Sequence, residues 1–254
     1  MNFYNKILID SIEREKAGLD YACNEHDRHI LNKLFKDINA NLNTDIHYIA
    51  ELDSFNLAGA GIIMLQYIHE FEAESMRAYL IPQIVSDKIG GADKLVCNLY
   101  QKFKKSDEYI ATADKPSPAH IYTRYDTAIS MLKPKKLKSE LLEVVNTPRD
   151  IYYLPLTTQM LASWKLKEFR DLLLHCAKDS EITYEDVGLS NDNKTYYPSY
   201  ETLIRQLKFI VINCLRYYPT CETLEFLKKI SCRDDLDLQS SVNKAVKYIN
   251  KRLV

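Results

Sequence analysis

Apolar residues recur at three- and four-residue intervals along most of the chain, the period of an amphipathic helix. The rhythm is clearest in the second half. Residues 119–132, 135–145, 149–163, 166–177, 199–217, 220–231 and 236–252 each read as one helix. Most joints between them are a few residues long and carry Pro, Thr or a charge pair. Short joints oblige neighbouring helices to run antiparallel, and successive pairs of this kind stack into an α-solenoid or an irregular bundle. The pattern predicts an all-α protein.

The first half follows the same period less regularly. Residues 1–22 read as a helix with Ile7, Ile12, Ala17 and Leu19 among charged neighbours, and 26–41 as a second with Ile30, Leu31, Leu34, Phe35 and Ile38 on its stripe. The stretch 44–72 holds two more, including Leu57–Phe71, and Glu72–Ile89 and Ala92–Lys104 follow across a Gly90-Gly91 stop. Thr147-Pro148 and Ser117-Pro118 place a hydroxyl at the N-cap and Pro at the first helical position, where its missing N–H costs nothing. Two segments interrupt the rhythm. Residues 105–118 read as a linker between an N-terminal helical region, 1–104, and a C-terminal region, 119–254, with one continuous domain over 1–254 as the alternative. Residues 179–198, rich in Asp, Asn, Gly and Ser, read as an insertion loop ending in Tyr196-Tyr197-Pro198.

From Thr147 to Leu173 the chain resembles HEAT- and armadillo-type helical repeats. A first helix with an internal proline (Tyr152-Tyr153-Leu154-Pro155) is followed by a very short turn after Trp164. A second helix then opens with Lys167-Glu168 before Leu172-Leu173. Tyr79-Leu80-Ile81-Pro82 echoes Tyr152-Tyr153-Leu154-Pro155 at a distance of 73 residues, about two repeats of the ~40-residue class. Three second helices share a cadence, closing on Leu142, Leu173 and Leu227. Their separations, 31 and 54 residues, are irregular, so an irregular helical bundle stands beside the solenoid as the alternative. The resemblance implies a scaffold that binds partners on its second-helix face. It names no partner.

Composition narrows the function classes. The chain has 254 residues, 34 basic and 35 acidic side chains and a net charge of −1, a balance that argues against a dedicated nucleic-acid binder. No apolar stretch approaches the length of a membrane span and the N-terminus lacks a signal-peptide core, so a cytoplasmic protein is expected. Six cysteines, none in a C-x-x-C pair, fall mostly on the apolar stripes of helices, as expected of reduced buried thiols.

Candidate chemistry is sparse. His26 and His29 stand at a chelating spacing with nothing to complete a ligand set. His69-Glu70-Phe71-Glu72-Ala73-Glu74 groups a histidine with three carboxylates, but reads as an exposed helix junction. Gly59-Ala60-Gly61 lacks the third glycine and the preceding strand of a dinucleotide site, and reads as a close helix approach. His175-Cys176 lies on one helix about 100° apart, which argues against a catalytic dyad. Lys133-Pro134-Lys135-Lys136-Leu137-Lys138 is the one dense basic cluster, open to a phosphate contact or to plain solvation.

These features point to a non-enzymatic protein-binding module without cofactor or metal. Its contact residues are expected to be Lys138, Lys167, Glu168, Asp171, Glu222, Glu225 and Lys229 on second helices, with Tyr196 and Tyr197 beside them. The most concrete member of that class is a bacterial toxin-neutralising immunity protein that occludes its partner, a toxin domain. The alternative is a nucleic-acid enzyme. Alkylpurine DNA glycosylases are HEAT-like and of similar length, and that reading requires a basic concave face, aromatic residues and a buried carboxylate.

Overall fold

The computed structural model describes residues 12–13, 24–52, 57–106, 109, 118–177, 200–230, 232 and 235–253. Described residues form thirteen α-helices and no strand, so the chain is all-α. In order these are α1 (Glu25–Leu42), α2 (Ile49–Leu52), α3 (Ala60–Tyr67), α4 (Glu74–Ser86), α5 (Ala92–Phe103), α6 (Pro118–Leu132), α7 (Lys138–Val144), α8 (Pro148–Tyr153), α9 (Pro155–Ser163), α10 (Lys167–Cys176), α11 (Tyr200–Leu215), α12 (Cys221–Lys229) and α13 (Leu236–Asn250). A 3-10 turn, Lys135–Leu137, leads into α7. The helix expected over 1–22 and the insertion loop lie outside the described residues, apart from helical Ile12 and Glu13.

The chain divides into two compact units, Met1–Phe103 with Ala119–Leu132, and Lys104–Pro118 with Lys133–Val254. In the first, α3 packs on α1 and α4, and α4 packs on α5. Helix α6 joins this unit from beyond the 105–118 segment. Its Tyr122 and Tyr125 meet Tyr100 and Phe103 of α5 in a fully buried cluster, with Tyr100–Tyr125 centroids 5.1 Å apart and Phe103–Tyr122 centroids 5.2 Å apart, both edge to face. Such pairs add to the burial of their large surfaces.

Helix α11 organises the second unit. It packs against α8, α9, α10 and α13. Leu203, Leu207, Val211, Ile212 and Leu215 are fully buried, and Ile204, Phe209 and Ile210 are half-buried, so α11 is apolar around most of its circumference, as a central helix must be. Its partners are amphipathic and bury one stripe each: Phe169, Leu173 and Cys176 on α10, and Leu238, Val242, Ala245 and Ile249 on α13.

The single helix expected over 149–163 is two. Pro155 has no N–H for the carbonyl four residues back, and Leu154 leaves helical geometry (φ −118°, ψ 57°), ending α8 and starting α9. Pro82, in the echoing segment, stays inside a continuous α4.

Candidate functional site

The expected contact residues stand on the outer faces of three helices. Lys138 opens α7; Lys167, Glu168 and Asp171 lie in the first turns of α10; Glu222, Glu225 and Lys229 lie on α12. All seven are exposed. The inward stripe of each helix is apolar, so these polar positions have only the outer side left to them.

Arg170 brings two of them together. Its Nη2 lies 2.9 Å from Asp171 Oδ1, and its Nη1 lies 3.3 Å from Glu222 Oε2, tying α10 to α12. The Arg170 side chain is 15% exposed, whereas those of Asp171 and Glu222 are 54% and 66% exposed, so a partly buried guanidinium holds two carboxylates at the surface. The hydrogen bond to Asp171 and the nearby Glu222 carboxylate raise its pKa further above the ordinary guanidinium value. Tyr218 lies beneath, with its hydroxyl buried and without a hydrogen-bond partner among the described residues. Burial pushes that phenol well above its ordinary pKa, and Asp171 and Glu168 push in the same direction. Glu168, Arg170, Asp171 and Glu222 therefore form one charged edge with a carboxylate excess. Lys138, Glu225 and Lys229 make no ion pair with described residues. Tyr196 and Tyr197 lie outside the described residues.

Arg170 was absent from the expected set. Its position in Phe169-Arg170-Asp171 hinted at a surface charge, but its partner Glu222 is 52 residues away and no local pattern connects them. A second such clamp joins α11 to α13. Arg205 pairs with Asp235 and reaches Asp237 at 3.1 Å, while Leu236 between the two aspartates is 83% exposed. Asp235 caps α13 by accepting from Leu238 N at 3.0 Å, and the Arg205 hydrogen bond holds its carboxyl down to about 2.

The residues that resembled chemistry have structural occupations. Asp27, fully buried, accepts from the backbone N–H of Glu72 at 2.7 Å and of Ala73 at 3.0 Å, covering the start of α4. His26 contacts the Glu70 carbonyl at 2.9 Å, and His29 is exposed. Glu74 turns inward to pair with Arg77, whereas His69, Glu70 and Glu72 stay exposed. No group of three His, Cys, Asp or Glu suited to a metal occurs among the described residues.

At Gly59-Ala60-Gly61 the anion position of a helix N-terminus is filled from within. Asp87 Oδ2 accepts from Gly59 N at 3.1 Å and from Gly61 N at 2.7 Å. A Cβ on Gly61 would stand 2.7 Å from that oxygen and 3.0 Å from both the Gln83 carbonyl oxygen and Ile84 Cα. The glycine is therefore the close helix approach that its spacing suggested. His175 is exposed and Cys176 is buried, pointing apart as their adjacency on one helix requires.

Asp150 is the most deeply engaged carboxylate. It is fully buried beside Lys104 Nζ at 2.8 Å, and it accepts from the Thr147 hydroxyl at 2.7 Å. Lys104 Nζ also donates to the Val144 carbonyl at 2.9 Å, covering the end of α7. Arg149 stacks over the Tyr109 ring, 4.0 Å from its centroid, and donates to the Tyr109 carbonyl.

In the first unit an open cleft of about 470 Å³ lies between the end of α4 and the start of α5, with Lys88, Asp93 and the half-exposed Met131 in its wall. No helix of the described residues is long and apolar enough to cross a membrane. Comparison with known protein families, with curated proteins and with solved structures finds no match for this chain.

Proposed function

We propose that the protein is a non-enzymatic, HEAT-like helical module that binds a protein partner through the charged edge of α10 and α12. The observation that carries the reading is the Arg170 clamp, which holds Asp171 and Glu222 from two helices in one fixed arrangement. Charges pre-set in this way discriminate partners by complementarity at little ordering cost. A further support is where the two most deeply buried of the described carboxylates go. Asp27 and Asp150 spend their oxygens on helix starts, Lys104 and Thr147. A glycosylase would instead need such a carboxylate free to face its ligand. Within the binding class, a toxin-neutralising immunity protein that occludes a toxin domain is the most concrete member.

The test is capture of partners from native-host lysate by the tagged full chain, with nuclease present. A single stoichiometric protein, retained by wild type and weakened at least tenfold by E168K/D171K/E222K with melting temperature unchanged, fits the proposal. Equal retention by the triple variant moves the contact elsewhere. Complete loss on nuclease treatment ends the protein-partner reading. The immunity assignment further expects that co-expression rescues cells from the captured partner's toxicity.

A further inference from the structure

The arginines described in the second unit are all engaged internally: Arg170 and Arg205 by carboxylates, and Arg149, Arg216 and Arg252 over tyrosine rings. Its free cations are lysines, and they are densest between 133 and 138. Pro134 is buried and anchors a tight turn. Lys133 takes a left-handed conformation (φ 46°), Lys135 N donates to the Lys133 carbonyl at 2.8 Å, and Leu137 N donates to the Pro134 carbonyl at 2.9 Å. The result is that Lys133, Lys135, Lys136 and Lys138 are all exposed and make no ion pair with described residues. Glu140 is the first carboxylate after them.

We propose that this lysine turn contacts the phosphate backbone of nucleic acid without reading its sequence. Four ammonium groups within six residues complement a row of closely spaced phosphates. Ammonium groups are point charges and lack the forked donor geometry with which arginine reads base edges, so the contact positions the chain without specifying sequence. An acidic protein segment fits less well. A peptide partner needs an apolar anchor, whereas the residues between these lysines are the buried Pro134 and the half-buried Leu137. The four ammonium groups are exposed, so the attraction is salt-sensitive. The proposal stands on different residues from the α10–α12 edge and does not depend on it.

The experiment is fluorescence anisotropy of two labelled 16-base-pair DNA duplexes of unrelated sequence, titrated with the 254-residue chain between 25 and 150 mM salt. Equal affinity for both is expected. Engaging three or four phosphates gives a log–log salt slope of about −3, or on the order of a 100-fold loss across that range. K135Q/K136Q/K138Q should lose at least tenfold at 25 mM with a slope no steeper than about −1, and the exposed-surface control K244Q/K247Q should stay within twofold of wild type. Should the triple variant fold poorly, K135Q/K136Q is read instead, with about two-thirds of the change in slope. Four results overturn the proposal: no wild-type binding at 25 mM; a lysine-turn variant that binds as wild type; a control that loses as much as the triple variant; or displacement by poly-glutamate at lower concentration than by unlabelled duplex.

Discussion

Both units bury aspartates beneath helix starts, but they neutralise them differently. In the first unit buried Asp27 accepts from two backbone N–H groups, and half-buried Asp87 accepts from two more and from the Gln83 side-chain amide, with no cation in either contact. In the second, the Asp150 carboxylate takes the Lys104 ammonium and the Thr147 hydroxyl, while Thr147 in turn accepts from the Asp150 backbone N–H. Converging N–H groups at a helix N-terminus carry enough positive potential for a carboxylate that only caps. Asp150 does more, because Lys104 links it to the carbonyls that end α7, so one buried network closes one helix and opens the next. The difference is between a cap and a tie.

The largest expected effect breaks the tie. Asp150→Ala leaves the Lys104 ammonium facing carbonyls without its counter-charge, which costs about 3–5 kcal/mol in urea unfolding. Adding Lys104→Met should recover part of that loss, since removing both charges is less damaging than stranding one. If the double variant is no more stable than the single, Lys104 is not what Asp150 balances.

Next is Gly61→Ala, where the new Cβ meets backbone atoms of α4 at 3.0 Å and cannot be relieved by a rotamer change. We expect a loss of about 2 kcal/mol. A neutral result would mean that α3 and α4 separate easily. Asp27→Ala tests the cap alone and should cost about 1–2 kcal/mol, clearly less than Asp150→Ala. Equal losses would erase the distinction between the units.

The smallest effect concerns pH. Arg205 and the α13 start hold the Asp235 carboxyl down to about 2, below its ordinary value of 3.8. A depressed folded-state pKa contributes stability that is present above the unfolded value and lost as pH falls through the folded one. Wild type should therefore lose more stability than Asp235→Asn between about pH 4 and pH 2. Parallel stability profiles for the two proteins across that window would show the clamp to be energetically idle. Asp235 is solvent-accessible, so the difference will be small.

Much of this architecture was legible in the residues. The helix boundary at Thr147-Pro148 followed from capping chemistry, and Thr147 does accept from the backbone N–H three residues on. Thr147-Pro148-Arg149-Asp150 even contains a capping-box pattern that would have singled out Asp150. The echo between Tyr79–Pro82 and Tyr152–Pro155 was less informative. The same four-residue pattern yields a continuous helix in one unit and two helices in the other, because a proline removes one hydrogen bond and the surrounding packing decides whether the chain bends or breaks there. Of the expected contact surface, exposure of the seven described residues was readable from helical phase. The clamp that unites Asp171 with Glu222 was not.

The helical class, most element boundaries and the inward side of each helix could be read from the residues alone. Those depend on periodicity and capping, which act over a few residues. Tertiary structure alone decided that α6 joins the first unit through Tyr122 and Tyr125, and that α11 sits among four neighbours. It also decided that Arg170, Arg205 and Lys104 each find carboxylates 30–52 residues away. Such pairings depend on which helix faces meet, and helix packing leaves no periodic mark on the chain.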